Sequence, residues 1–482
     1  MYVINMKKLI LLGVCLVFVI IVSGCVQETS PTQNTNNYDG SKEVSTPSTS
    51  QQKSVCGDNT CSSDESQSTC CIDCSCSTGY VCNPSLNKCE LEKPKITFSY
   101  QVSANPYSVS VLYAMPTETI NKDNPMITCS VSNSGGVASS VQVKTKLGGY
   151  SDWYTENIGT VNKGDNKQFS TTPRVESGAL SLTTDTNVPL SIQLIYKDSS
   201  GQEYKEDYSK DVVIKGRNTF SWAYPELTSA WVTSDDPIIR NFATESTQGL
   251  APAYAQDDIA PAVKRIFREV EAFGVRYASD PNGPFGDYLQ FPVETLSTRS
   301  GDCDDMAVLF AGLLSAVGIK SGVVLTTGHA YTWFEANGTQ YSLEGTMLGY
   351  GVENIITPLS QRLKENDVVV NTQQEWNSGI KRINLPTPPA VSVPSISINL
   401  QNPKSRLLVI EGVVWDIDIA FTNTGGQGYR CLTVYNTDKS TGYRRNEYVL
   451  CTNVPGGSST KTVTLDGDAF KEYTFGYYVN RE

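Results

Sequence analysis

The cysteine spacing near the N-terminus constrains this chain more than any other feature of its sequence. Eight of its 14 cysteines fall within residues 56–89. Such density is typical of small disulfide-stabilised modules outside the cell, so residues 55–91 are predicted to form a disulfide-rich module. Zinc is the competing interpretation, although the crowded middle of the segment lacks a repeated two-residue spacing between ligands. The cysteines concerned are Cys56, Cys61, Cys70, Cys71, Cys74, Cys76, Cys82 and Cys89.

The N-terminus indicates the same compartment. Lys7 and Lys8 precede an apolar run at 9–22, which is short for a membrane-spanning helix of about 20 residues. Small residues and Cys25 follow, in a pattern that resembles a lipoprotein cleavage box. We therefore predict a signal peptide over 1–24, a lipidated Cys25, a disordered tether over 25–54, and a cell-membrane protein that faces outward. An uncleaved signal anchor is the alternative.

Charge limits the classes of partner. The chain has 38 basic and 50 acidic residues, a net charge of −12, so it gains little from binding a phosphate backbone and nucleic acid is not expected as a partner. The acids within the cysteine segment resemble those of small acidic cysteine repeats in secreted proteins, some of which bind Ca²⁺. Solvated side chains are the alternative, and no other cofactor is expected. The acids are Asp58, Asp64, Glu65 and Asp73.

Two segments share a strand-and-turn pattern. Ile127, Cys129 and Val131 alternate with polar residues before Asn133-Ser134-Gly135-Gly136, and a second alternating run ends in Asn423-Thr424-Gly425-Gly426. Alternation of this kind predicts half-buried strands. We therefore predict two β-sandwich, immunoglobulin-like domains at 95–216 and 394–482. Cys129 is predicted to be a buried thiol, and Cys431 and Cys451 are predicted to form a disulfide if they face each other across a hairpin.

The segment 218–385 has a different, helical periodicity. Asp236-Pro237 predicts a helix start, and the apolar run at 306–317 predicts a buried helix that begins near Cys303. The proline-rich stretch 386–393 is predicted to be a stiff linker. The expected fold is therefore multidomain, with an α+β domain flanked by two β-sandwich domains and preceded by the disulfide-rich module.

Chemistry in this central domain is restricted to few candidates. Cys303 is its one cysteine, and a thiol at the start of a helix has a lowered pKa because of the helix dipole. His329 is the one histidine in the whole chain, and it lies 26 residues further along. A thiolate nucleophile commonly needs an imidazole for proton transfer, so the pair predicts nucleophilic catalysis. A buried structural cysteine is the alternative.

A hairpin brings a carboxylate to the same place. Asn337-Gly338 is a strong two-residue turn signal, and a turn there pairs residues whose numbers add to 675. His329 and Glu344 are then diagonal neighbours on one face, within reach of a long side chain. Glu344 is predicted to accept the second ring N–H and to fix the imidazole tautomer. A solvated acid at a strand end is the alternative.

Four segments of the central domain resemble the transglutaminase-like superfamily, over about 130 residues near 257–385. The resemblance implies a papain-like Cys-His-Asp core and an acyl-thioester intermediate on Cys303. The sequence has Glu344 where the family usually has Asp, as in some prokaryotic subgroups. The aromatic residue that commonly follows the histidine is displaced, which gives His329-Ala330-Tyr331-Thr332-Trp333. The segments are Gln290-Phe291-Pro292-Val293-Glu294-Thr295-Leu296, Gly301-Asp302-Cys303-Asp304-Asp305, Gly328-His329-Ala330-Tyr331 and Tyr341-Ser342-Leu343-Glu344-Gly345-Thr346.

These observations favour a cell-surface cysteine hydrolase, a peptidase or amidase, that acts on a peptide or protein substrate. The predicted catalytic residues are Cys303, His329 and Glu344. Gln290 is a candidate oxyanion donor, with a role on a strand surface as the alternative. Two other functions remain open: a non-catalytic adhesion protein that keeps only the fold, and a protein cross-linking acyltransferase.

Overall fold

The computed structural model describes residues 55–250, 259–280, 287–351, 355–408, 412–468 and 471–479. The predicted signal peptide, Cys25 and the tether lie outside these residues. In the described part of the chain, no helix is both long and apolar enough to cross a bilayer.

The cysteine-rich segment folds around four disulfides and one hairpin. All eight of its cysteines are paired, so the disulfide prediction is confirmed and the zinc interpretation is wrong. The predicted calcium ligands lie in backbone turns, where Asp58 accepts the N–H of Thr60 and Asp73 accepts that of Asn59, each at 2.8 Å. Calcium binding stays a prediction. The strands are β1 (Tyr80–Asn83) and β2 (Lys88–Leu91), and the disulfides are Cys56–Cys70, Cys61–Cys74, Cys71–Cys82 and Cys76–Cys89.

Two sheets form the next module. One has the strand order β3-β5-β8 and the other β4-β10-β9-β6-β7, and both contribute side chains to one apolar core. The predicted alternation holds, because Ile127, Cys129 and Val131 are buried and Cys129 is a free thiol. The elements are β3 (Ile96–Val102), β4 (Tyr107–Ser108), α1 (Val109–Ala114), α2 (Thr117–Asp123), β5 (Ile127–Asn133), β6 (Ala138–Leu147), β7 (Tyr154–Val161), β8 (Asn166–Thr171), β9 (Thr186–Lys197) and β10 (Glu203–Lys215).

The central domain packs a buried helix against a five-stranded antiparallel sheet. Its strand order is β18-β17-β16-β15-β19. Helix α7 is buried along most of its length, and Thr332 and Ser321 donate hydroxyl hydrogen bonds to its carbonyls, each at 3.0 Å. The elements are β11 (Thr219–Phe220), α3 (Thr228–Trp231), α4 (Pro237–Ser246), α5 (Ile259–Phe273), β12 (Arg276–Tyr277), β13 (Asp287–Tyr288), α6 (Pro292–Thr298), β14 (Ser300–Gly301), α7 (Cys303–Ala316), β15 (Ser321–Thr326), β16 (His329–Ala336), β17 (Thr339–Leu343), β18 (Ile356–Pro358), β19 (Val368–Asn371) and α8 (Thr372–Asn377).

The C-terminal module also has two sheets, β20-β21-β24 and β23-β22-β25, around a core of its own. Cys431 and Cys451 are directly opposed on neighbouring strands and form the predicted disulfide. Immunoglobulin-like topology stays a prediction for both two-sheet modules. The strands are β20 (Ile396–Leu408), β21 (Gly412–Asn423), β22 (Gly428–Asp438), β23 (Arg444–Val454), β24 (Gly457–Gly467) and β25 (Tyr473–Val479).

The repeated Asn-x-Gly-Gly sequence makes the same corner in both modules. The amide of Asn133 donates to Gly136 and Val161 at 2.7 and 2.9 Å, and that of Asn423 donates to Gly426 and Val454 at 2.7 and 3.1 Å. Glycine is required because a Cβ at Gly136 or at Gly425 would overlap a backbone carbonyl of the preceding segment. The repeat is therefore a structural device that joins the first strand of each module to its neighbours.

Contacts tie the modules to the central domain. The core of the first two-sheet module continues into that of the central domain without a break among the described residues. The C-terminal module is attached through Arg430, which is fully buried and pairs with Glu269 of α5 at 3.3 Å. Glu269 also accepts the backbone N–H of Tyr429 at 2.8 Å.

Candidate active site

Cys303 is the first residue of α7, as predicted. Asp302 caps this helix, because its carboxylate accepts the backbone N–H groups of Asp304 and Asp305 at 3.2 and 3.4 Å. Asp305 returns the contact by accepting the N–H of Asp302 at 3.2 Å, which completes a capping box. The free thiol of Cys303 is half-buried at the positive end of the helix dipole, where an anion is favoured.

His329 lies between the thiol and a carboxylate. Its ring makes a hydrogen bond with Cys303, and its Nε2 is 3.0 Å from Oε2 of Glu344. Because Glu344 occupies Nε2, Nδ1 is the nitrogen left for the thiol. The hydrogen bonds to Cys303 and to Glu344 raise the pKa of His329 to about 9, although burial works against this rise. The ring is therefore held as a proton acceptor next to the sulfur.

The predicted hairpin register places Glu344. Thr332 pairs with Leu343 and Ala336 with Thr339, so opposed residue numbers add to 675 as expected. Asn337 and Gly338 both have positive φ, 54° and 72°, as a tight hairpin turn requires. Glu344 itself is the first residue after β17 and caps the 3₁₀ helix Gly345–Met347.

Both oxygens of Glu344 are occupied. Oε1 accepts the hydroxyl and the backbone N–H of Thr346 at 2.7 and 3.3 Å, while Oε2 receives His329 and the guanidinium of Arg362, the latter at 2.8 Å. Burial disfavours the charged form, but the hydrogen bonds from His329, Thr346 and Arg362 outweigh it and lower the pKa of Glu344 to about 2. Glu344 is thus a carboxylate at any physiological pH.

Gln290 differs from its predicted role. Its side-chain nitrogen donates to Oδ2 of Asp305 at 2.6 Å and to the carbonyl of Ser300 at 3.2 Å. Its backbone N–H also donates to Asp305, at 2.7 Å. Since both amide hydrogens are used, Gln290 is not placed to donate to an oxyanion, and that prediction is wrong. Gln290 instead braces the start of α7.

An acidic surface adjoins the thiol. Carboxylate oxygens of Asp280, Asp287 and Asp302 lie within 4.8 Å of one another, and burial followed by repulsion from the other two raises the pKa of Asp280 to about 6. Exposed aromatic residues border this surface, and the indole N–H of Trp222 donates to Asp287 at 2.9 Å. Among the described residues, two groups near Cys303 have the spacing to hold a cation: these three carboxylates, and the set of Asp302, Cys303 and Asp304.

A cleft also lies at the other end of α7. It has a volume of about 690 Å³ and is lined by Ser315, Lys320, Asn371, Trp376 and Arg382 among others. These residues surround the C-terminal end of α7, whereas Cys303 is at the other end of this 14-residue helix, about 20 Å away. Cys303 therefore lies outside this cleft.

Sequence reasoning missed two contacts of Glu344. Thr346 belongs to a segment that was singled out, but its hydroxyl contact depends on the 3₁₀ turn. Arg362 follows β18 and is separated from Glu344 by 18 residues with no periodic pattern. No signal in the sequence distinguishes it from the other arginines.

Comparison with known proteins bears on the central domain. A family model for the transglutaminase-like superfamily matches residues 241–351, which include Cys303, His329 and Glu344 but not Arg362. A search of curated proteins gives no match.

Solved structures add little to this result. Red sea bream transglutaminase is similar at 10% identity, over 76% of this chain and 80% of its own, with a TM-score of 0.14. Repeats of a large adhesion protein are similar at 10% identity, over 81% and 75% of the two chains, with a TM-score of 0.15. Similarities with such low TM-scores support no conclusion about this chain, so the comparison rests on the family-model match of residues 241–351. The family-model match therefore identifies residues 241–351, within the central domain, as similar to the transglutaminase-like superfamily.

Proposed function

We propose that the central domain is a cysteine hydrolase that cleaves an amide bond of a peptide or protein through an acyl-thioester on Cys303. The observation that carries this proposal is the position of the His329 ring, which is hydrogen-bonded to the thiol on one side and to Glu344 on the other. Proton transfer and nucleophilic attack need such an arrangement, whereas a scaffold does not.

Each step can be assigned to an atom. The sulfur of Cys303 attacks the amide carbonyl carbon after its proton has passed to His329. The imidazolium then gives that proton to the leaving amine, the C–N bond breaks, and an acyl-thioester remains. Water attacks the thioester while His329 accepts one of its protons, the C–S bond breaks, and a carboxylic acid leaves.

The oxyanion needs a donor other than Gln290. The first N–H groups of a helix have no carbonyl four residues earlier to bind. We assign the backbone N–H of Cys303 to this role, because it belongs to the residue that makes the new bond and lies at the positive end of the helix. Glu344 stabilises the imidazolium that forms in each half of the reaction.

Location and final acceptor are part of the same proposal. Five disulfides among the described residues fit an oxidising exterior, and together with the predicted signal segment they favour a cell-surface protein. Water suffices as acceptor, so hydrolysis is favoured over cross-linking. An amine that replaced water would give the cross-linking reaction at the same thiol.

Selective alkylation tests the proposal without a known substrate. The full-length protein is treated with iodoacetamide at pH 7, and each cysteine is quantified by peptide mass spectrometry. Cys303 should react rapidly, while Cys129 serves as an internal control because burial, reinforced by Glu156, raises its pKa to about 12. Labelling of Cys303 no faster than that of Cys129 would identify the domain as a non-catalytic scaffold.

A second experiment separates hydrolysis from transfer. Wild-type protein and Cys303→Ala are incubated with a peptide library, with and without a primary amine. Products that depend on Cys303 and carry a new carboxylate identify the hydrolase. Products that carry only the added amine identify the cross-linking acyltransferase and would overturn the hydrolase assignment.

A further inference from the structure

The two departures from the family pattern meet at one residue. Arg362 donates to Oε2 of Glu344, the residue that stands in place of the usual Asp, at 2.8 Å. The same guanidinium lies 3.9 Å from the ring centre of Tyr331, the aromatic residue that is displaced from the position after His329. Arg362 is only 26% exposed, so it is fixed between an acid and an aromatic face.

A longer acid needs more support. Glu has one more rotatable bond than Asp, so its carboxylate must be held against more conformational freedom. Thr346 holds Oε1, and Arg362 holds Oε2 on the side that faces His329. Tyr331 in turn supports Arg362 from the strand that carries His329.

We propose that Arg362 is a positioning residue that holds Oε2 of Glu344 and, by sharing the charge of this carboxylate, keeps the imidazolium of His329 from becoming too stable to release its proton. This inference rests on the proposed function. It places part of the active centre outside residues 241–351, the segment that the family model covers.

Whether loss of Arg362 raises or lowers the pKa of His329 depends on the charged and titratable groups of every neighbouring element. Helix α7 contributes Cys303, β16 contributes His329 and Tyr331, and the segment after β18 contributes Arg362. Asp367 also acts on Tyr331 from the loop before β19. Arg362 is the positive charge that contacts Glu344 besides His329 among the described residues, so its removal leaves the whole carboxylate charge to the imidazolium.

The pH dependence of Cys303 alkylation measures this effect. In a thiolate–imidazolium pair, the upper transition reports loss of the imidazolium proton. Removal of the positive charge in Arg362→Gln should raise the pH of that transition by about one unit. This is the lower end of the pKa shift that one close charge produces. Arg362→Lys keeps the charge and should restore the transition to within about 0.3 unit of the wild-type value.

Arg382→Gln is the matched control. Arg382 also lies on an aromatic ring, that of Trp376 at 3.8 Å, and also pairs with an acid, Asp235 at 3.5 Å. It lines the cleft at the far end of α7, so its loss should leave the transition unchanged. Each variant is compared by circular dichroism, and Arg362→Met, which keeps an apolar stem over Tyr331, replaces the Gln variant if that protein does not fold.

The possible outcomes distinguish failure of the proposed role of Arg362 from failure of the proposed function. A folded Arg362→Gln or Met variant whose upper transition is unmoved, or moves down, overturns the role of Arg362. An equal shift in a Glu344→Gln background also overturns it, because Arg362 would then not act through Glu344. A wild-type profile with a single ordinary thiol transition instead refutes the proposed function itself.

Discussion

Replacement of Glu344 by Gln is the sharpest test of the proposed triad, because both carboxylate oxygens of Glu344 accept hydrogen bonds. Thr346 donates twice to Oε1, and His329 and Arg362 both contact Oε2. A Gln side chain has a single oxygen, so its NH₂ group must face donors on one side or the other. The substitution therefore removes a charge and also creates a clash between donors.

The size of the effect follows from His329. Its pKa rises from 6.5 to about 9, which corresponds to about 3 kcal/mol of imidazolium stabilisation. Cys303 is the larger contributor, and the ring is 33% exposed, so solvent screening reduces the share of Glu344 to about 1.4 kcal/mol. The upper transition in Cys303 alkylation should fall by about one pH unit.

Turnover should fall further than the charge alone predicts. A tenfold loss is expected from the charge, and the misplaced NH₂ group adds to it, so kcat should drop about 10²-fold. The pH profile of alkylation and steady-state kinetics on the same preparation measure both effects. An unchanged transition in a folded Glu344→Gln protein would refute the assignment of Glu344. Opposite shifts are expected for this variant and for Arg362→Gln, which makes the pair diagnostic.

Three further outcomes are expected. Cys303→Ala should abolish turnover, and His329→Ala should lower kcat nearly as much. The double variant should lower kcat little more than either single variant, as steady-state kinetics on all three will show. Additive losses would mean that the two residues do not act together. Gly425→Ala should lower the melting temperature by several degrees because its Cβ would overlap the carbonyl of Val393, whereas Gly149→Ala, which meets no neighbouring atom, should not. Cys25→Ser should release the protein from membranes or leave it unprocessed in cell fractionation, and unchanged retention with an intact signal segment would favour the uncleaved anchor.

Local rules accounted for much of the site. Asn337-Gly338 determines the hairpin register, and that register carries Glu344 to His329 without any knowledge of the rest of the fold. The helix that begins at Cys303 was predictable for a similar reason, since an Asp cap and a long apolar run act over neighbouring residues.

Contacts between distant segments were not predictable. Gln290 has the chemistry of an oxyanion donor, but the buried carboxylate of Asp305, 15 residues away, takes its amide. Helix α1 was missed within a segment that was predicted to be all β, because a short apolar run has no clear period and only the Ser108 cap marks its start. Arg362 was not predicted because its contact with Glu344 forms only in the tertiary structure.

The unbroken core between the first two-sheet module and the central domain has a thermodynamic consequence. Segments that share one apolar interior lose it together, so these two parts should melt in a single cooperative transition. The C-terminal module has an interior of its own and is joined by the Arg430–Glu269 pair, so it should melt independently. Calorimetry should therefore resolve two heat-absorption peaks, and the proposed catalytic centre should survive the loss of the last module but not of the first two-sheet module.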